Sequence, residues 1–176
     1  MSGAESTADP RGLLREVVET PSVSGEEAAV AERLLDYFEA RGREAYVDEV
    51  GNVRAPGDDG VLLTSHMDTV PGDIPVREAA GELWGRGACD AKGPLCAMAV
   101  AAARTGASFV GVVREETDAR GAHHLVETRD PPAAVINGEP SGWDAITLAY
   151  RGFVKGTFAA ATRPSRRSAS RRSSCR

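Results

Sequence analysis

The stretch "TSHMDTVPG", residues 64–72, follows directly on the apolar run Val61-Leu62-Leu63 and stops at a Pro-Gly turn. In an extended chain alternate side chains share a face, so a strand running into this segment points His66 and Asp68 the same way. Such a pair suits a metal site, because a ligating imidazole commonly gives its second ring N–H to a carboxylate, which fixes the tautomer. Taken alone, His-x-Asp is more often a hydrogen-bonded loop histidine than a ligand.

The chain around it has 176 residues, 41% of them hydrophobic, enough for one ordinary core and a globular rather than disordered protein. No apolar stretch approaches the length of a membrane span, and "MSGAESTADPR" at the start has no basic-then-apolar signal pattern, so the sequence reads as cytoplasmic with no membrane partner. Cys89, Cys96 and Cys175 lack CxxC spacing, which argues for reduced thiols rather than a disulfide framework or a thiolate zinc finger. Six of the 21 basic residues fall in "RPSRRSASRRSSCR", residues 163–176, leaving 15 against all 26 acidic ones. The body is acidic, its only lysines being Lys92 and Lys155, and this excludes nucleic acid as its expected partner.

Secondary-structure signals alternate. Leu13, Leu14, Val17 and Val18 predict a short helix ended at Thr20-Pro21. Ser24 is the expected N-cap of a helix over "GEEAAVAERLLDYFEARG", stopped at Gly42. "EAYVDEV", a Gly51-Asn52 turn and "VRA" predict two short strands before a buried one at Val61 to Thr64. "AKGPLCAMAVAAARTG" predicts a small-residue helix, followed by the strand "SFVGVV", a helix near Ala119 to Glu127, and a buried strand "AAVING". The order predicts an α/β fold, a mixed sheet flanked by helices, with ligands gathered where strands end.

Three further acidic points share the position of His66 and Asp68: Asp90 in "WGRGACDAKGP", the pair Glu115-Glu116 after "FVGVVR", and Glu139 in "VINGEPSGW". Each has a plain alternative: Asp90 as a helix cap, Glu115 and Glu116 as a solvated turn, Glu139 as an exposed Glu-Pro. Their recurrence at strand ends instead predicts that one histidine and several carboxylates converge. Two divalent ions about 3.5–4 Å apart need a bridging carboxylate, further His or carboxylate ligands, and a water between them. That water needs a base, which one member of Glu115-Glu116 would supply.

The order HMDTVPG, GRGACDAKG, REET, GEPS resembles the co-catalytic zinc amidohydrolase and exopeptidase family of aminoacylases, acetylornithine deacetylases and succinyl-diaminopimelate desuccinylases, over residues 12 to about 160. "INGEPSGWDAITLAYRG" is most similar to the branch that releases lysine or ornithine from an amino-group carrier protein. The resemblance implies two zinc or cobalt ions, with His66 and Glu139 as terminal ligands of one, Asp90 as the bridge, Glu116 on the second, Asp68 orienting His66, and Glu115 as general base. It implies a cis peptide bond at Asp90-Ala91, while Gly85, Gly87 and Gly93 are expected to let backbone pack around Asp90. His123 and His124 are expected outside the site.

The same resemblance implies a partial metallohydrolase catalytic domain over residues 1–147, the start of a truncated lid and dimerisation domain over 148–162, and an Arg/Ser-rich tail over 163–176 that reads as a frameshift rather than a basic arm. A late histidine ligand and the returning strands of the sheet are missing from this pattern, so the expectation is an impaired fragment prone to associate. The implied substrate is a small acyl-amino acid or an acidic carrier protein, and the intact relatives are expected to be homodimers acting in lysine or arginine biosynthesis. A related dipeptidase or acetylornithine deacetylase, and a non-catalytic metal-binding fragment, are the alternatives.

Overall fold

The computed structural model describes residues 9–142 and 144–149. The chain divides into two compact units, Met1–Ala145 and Ile146–Arg176. Of the second only residues 146–149 are described, so nearly all of the expected lid start and the whole Arg/Ser-rich tail lie outside the described residues.

The first unit contains, in chain order, helices α1 (Pro10–Glu19) and α2 (Ala28–Glu39), strands β1 (Tyr46–Val47), β2 (Val53–Ala55) and β3 (Asp58–His66), the hairpin β4 (Arg77–Ala79) and β5 (Glu82–Trp84), helix α3 (Lys92–Thr105), strand β6 (Ala107–Val112), helix α4 (Arg120–Thr128) and strand β7 (Val135–Asn137). Five strands form one sheet in the order β1-β2-β6-β3-β7. Strand β3 is parallel to β6 and to β7, while β2 is antiparallel to β1 and β6. The expected mixed sheet is therefore present, and its three parallel strands end on one side.

The alternation of β3 sorts its residues onto two faces. Leu63 joins Leu13, Val17, Val30, Leu34, Phe38, Leu95, Ala99 and Phe109 in the main core, under α1, α2 and α3. Phe38 anchors it, packed against Phe109 with ring centroids 5.3 Å apart. On the other face Leu62, Val110 and Val112 form a smaller cluster against Leu125 of α4. The alanine-rich run of α3 lets it lie close over β3 and β6, and Gly106 ends it in the left-handed conformation favoured at helix C-termini.

Two local expectations are corrected, and one unexpected element is present. Ser24 does not cap α2, which starts at Ala28 with Glu27 in the cap position; the Ser24 hydroxyl donates to Asp68 instead. Strand β7 is not buried: among the described residues it pairs with β3 alone, and Val135 and Ile136 are 55% and 46% exposed. The hairpin β4–β5 was not foreseen, because "REAAGELW" has no period-2 apolar alternation; the turn rests on positive φ at Ala80 and Gly81.

Candidate metal centre

The register of the sheet brings the candidate residues together. His66, the last residue of β3, lies opposite Val112 of β6, three residues before Glu115, and Asn137 of β7 lies opposite Thr64, two residues before Glu139. Asp90 arrives differently. It follows the small hairpin and precedes α3, so the expectation that every acidic point ends a main-sheet strand is wrong for Asp90. It is not a helix cap either: Ala91 holds the cap position, with no side-chain capping bond. The Asp90-Ala91 peptide bond is cis.

His66 is 1% exposed, and its Nε2 lies 3.1 Å from Asp90 Oδ1 and 4.0 Å from Glu139 Oε2. One donor atom each from His66, Asp90 and Glu116 fall within 4.8 Å of one another. His66 Nδ1 lies 2.9 Å from the main-chain carbonyl of Asp68 and 3.4 Å from its Oδ1. The carbonyl is the nearer acceptor, and the Asp68 carboxylate shares the same ring nitrogen, so both the main chain and the side chain of Asp68 face Nδ1. Nε2 is then the free nitrogen, aimed at the carboxylates.

The fully buried Asp68 carboxylate has a second task that the sequence did not disclose. It accepts the Ser24 hydroxyl at 2.6 Å and the amides of Glu115 and Glu116 at 3.0 and 3.1 Å. These contacts tie the β6–α4 turn to the end of β3. No motif marks them, because main-chain donors leave no residue signature; Ser24 was the available signal, read as a cap.

Burial would depress the His66 imidazole, but its hydrogen bonding to Asp68 and the charges of Glu139 and Asp68, with Asp90, override this and push it up to about 9. Burial would raise the Asp68 carboxyl, but His66, Ser24 and the two amides hold it below its ordinary value. Glu115 and Glu116 are both raised, first by desolvation and then by neighbouring carboxylates, against the opposing charge of His66. Beside Asp90, Lys92 is buried and pushed down to about 8 by burial, its Nζ donating to Thr20 O at 2.6 Å.

The donor set fits divalent ions: one imidazole nitrogen, a carboxylate 3.1 Å away to share, and two further carboxylates converging on them. Backbone packs tightly around Asp90. Gly87 has φ +76°, and a Cβ there would lie 2.6 Å from the Thr69 side chain; at Gly93 it would lie 2.6 Å from Ala88 O. His124 is turned away, 3.3 Å from Glu49, and exposed His123 belongs to no candidate cluster among the described residues. Among the described residues no helix is long and apolar enough to cross a membrane.

A mixed sheet with its candidate residues at the ends of parallel strands is the setting, and the chain belongs to peptidase family M20/M25/M40, whose sequence model matches residues 62–163. A relative named LysW-lysine hydrolase, from Deinococcus radiodurans, is 47% identical over 155 residues, covering 81% of this chain and 42% of its own length. The chain spans about half the length of the curated relatives it matches. Among solved structures, aminopeptidase PepT of Bacillus cereus matches with a TM-score of 0.59 at 23% identity, over 74% of this chain and 43% of that one. The YXEP protein of Bacillus subtilis, described as a dinuclear metal-binding peptidase of the M20 family, matches with a TM-score of 0.56 at 16% identity, over 76% of this chain and 42% of that one. Both likenesses show the fold.

Proposed function

We propose that this chain supplies the metal centre of an amide hydrolase that frees lysine or ornithine from an amino-group carrier protein in cytoplasmic amino-acid biosynthesis. The observation that carries the reading is the convergence of His66, Asp90 and Glu116 donors within 4.8 Å, with Glu139 4.0 Å from His66 Nε2. The name and 47% identity of the Deinococcus radiodurans relative support the substrate class.

In this reading His66, Asp90 and Glu139 would hold one zinc or cobalt ion, and Glu116, with Asp90 shared, would hold a second. The ions supply Lewis acidity toward the amide carbonyl and lower the pKa of water at the site. Glu115, with its pKa raised by partial desolvation, takes the proton of the attacking water on a carboxylate oxygen. The water oxygen bonds to the amide carbon, the C–N bond breaks, and Glu115 returns the proton to the leaving amine nitrogen. Asp68 keeps His66 oriented and the Glu115 and Glu116 main chain fixed throughout.

The test is to titrate zinc and cobalt into the chain by calorimetry, and to assay lysine and ornithine release from the loaded carrier protein beside dipeptides and acetylornithine. Release from the carrier that disappears in Glu115→Gln while metal binding persists supports the proposal. Preference for dipeptides or acetylornithine replaces the substrate assignment, and metal binding with no hydrolysis reduces the chain to a metal-binding module.

A further inference from the structure

Four consecutive main-chain amides, those of Val113, Arg114, Glu115 and Glu116, are each held by a buried side-chain oxygen. Asn52 Oδ1 accepts the amide of Val113 at 3.1 Å, Glu27 Oε1 that of Arg114 at 3.1 Å, and the two Asp68 oxygens those of Glu115 and Glu116 at 3.0 and 3.1 Å. The three acceptors come from before α2, before β2 and after β3, and they are 6%, 0% and 0% exposed. Each is also fixed by other bonds. Asn52 Nδ2 donates to Gly121 O and to Asp48, Glu27 Oε1 also accepts the amide of Gly25 at 2.9 Å, and Asp68 accepts the Ser24 hydroxyl.

The residue in the middle needs this restraint. Arg114 has φ +60°, a left-handed conformation that costs an L-residue with a Cβ roughly 1–2 kcal/mol. Its carbonyl accepts the amides of Thr117, Asp118 and Ala119, which closes the turn behind it. Relaxation of Arg114 to negative φ would rotate the following peptide and swing Glu115 and Glu116 away from His66 and Asp90. The one bond that holds the Arg114 amide is the bond to Glu27, 87 residues earlier.

We propose that Glu27 is a positioning residue: through the Arg114 amide it keeps that residue left-handed, and so places the Glu116 carboxylate against the second ion and Glu115 beside the reacting water. The roles of Glu115 and Glu116 rest on the function proposed above, but the restraint does not. Glu27 touches neither substrate nor metal, and its contribution is the direction of the two carboxylates that do. Its oxygen is what matters, so a glutamine in its place keeps the acceptor and a methionine of similar length removes it.

Glu27→Met, Glu27→Gln and the unaltered chain are compared by amide hydrogen exchange without metal, and by cobalt titration followed by visible absorption. In Glu27→Met the amides of Arg114, Glu115 and Glu116 are expected to exchange at least tenfold faster, while Leu95 and Val110 in the core keep their rates. The cobalt-binding step that Glu116→Ala abolishes is expected to weaken at least tenfold in Glu27→Met and to be restored in Glu27→Gln. If Glu27→Met does not unfold cooperatively, Glu27→Asp, which withdraws the carboxylate by one methylene, is measured in its place with the same expectation. Unaltered exchange at residues 114–116, or acceleration spread evenly through the core, overturns the proposal. An unaltered chain that binds no cobalt at all sinks the metal-centre reading instead, and the exchange data then decide the restraint alone.

Discussion

His66 Nδ1 lies 2.9 Å from the main-chain carbonyl of Asp68, while the Asp68 carboxylate accepts the amides of Glu115 and Glu116. One residue thus orients a candidate ligand with its backbone and a candidate base with its side chain. A substitution at Asp68 separates the two tasks, because only the side chain is lost. Asp68→Ala leaves three part-buried donors without their acceptor, and a loss of about 3 kcal/mol of unfolding free energy is expected in denaturant titration. Asp68→Asn is also destabilised, since its amide group must face donors with a donor.

Metal-free stability is expected to fall between pH 6.5 and 8. The folded His66 is pushed up to about 9 from 6.5, so the protonated ring stabilises the fold fully below 6.5 and this contribution is lost as pH rises through about 9. Lys92, pushed down to about 8, acts in the opposite sense only above that value, because the unfolded chain then holds more protons than the folded one. Chemical denaturation with a chelator present should show a slope of about 1 kcal/mol per pH unit from 6.5 to 8. The slope should vanish in His66→Gln.

Ion binding at His66 must expel the proton that the metal-free ring carries at neutral pH. Calorimetry at pH 7 in two buffers of different ionisation enthalpy is expected to show proton release on zinc binding, with affinity rising toward pH 9. Zinc at a hundred times its dissociation constant should stabilise the chain by about 2.7 kcal/mol. His66→Ala should abolish both effects.

A core substitution provides the contrast. Phe38 is fully buried between Tyr37 and Phe109, away from every candidate ligand. Phe38→Ala is expected to cost about 3–5 kcal/mol in urea unfolding. At temperatures where the variant remains folded its zinc affinity should match that of the unaltered chain.

Helix and strand order was legible because the apolar periods are clean: Leu13, Val17 and Val18 in α1, Val30, Leu34 and Phe38 in α2, and the run into His66 in β3. The candidate ligands were legible as residue types after apolar runs, and the family motifs supplied their proposed roles. What escaped was whatever depends on main-chain geometry or on sheet order. The exposure of β7 follows from its edge position, which Val135 and Ile136 themselves do not announce. The bond from Ser24 to Asp68 spans 44 residues, and the same serine serves equally well as a cap in any local reading.

The common direction of β3, β6 and β7 has a consequence for how such a molecule is altered. All three bring their candidate residues to one end, so the segments entering β3 and β6, around Gly57 to Asp59 and Gly106, lie at the opposite rim. The exposed Thr105–Gly106 turn is therefore the place for an affinity tag or a fluorescent label: the length of β6, about 3.3 Å for each of its residues, separates it from the carboxylates. A reporter there would follow the folding of the sheet while leaving the ion-binding rim free to be titrated.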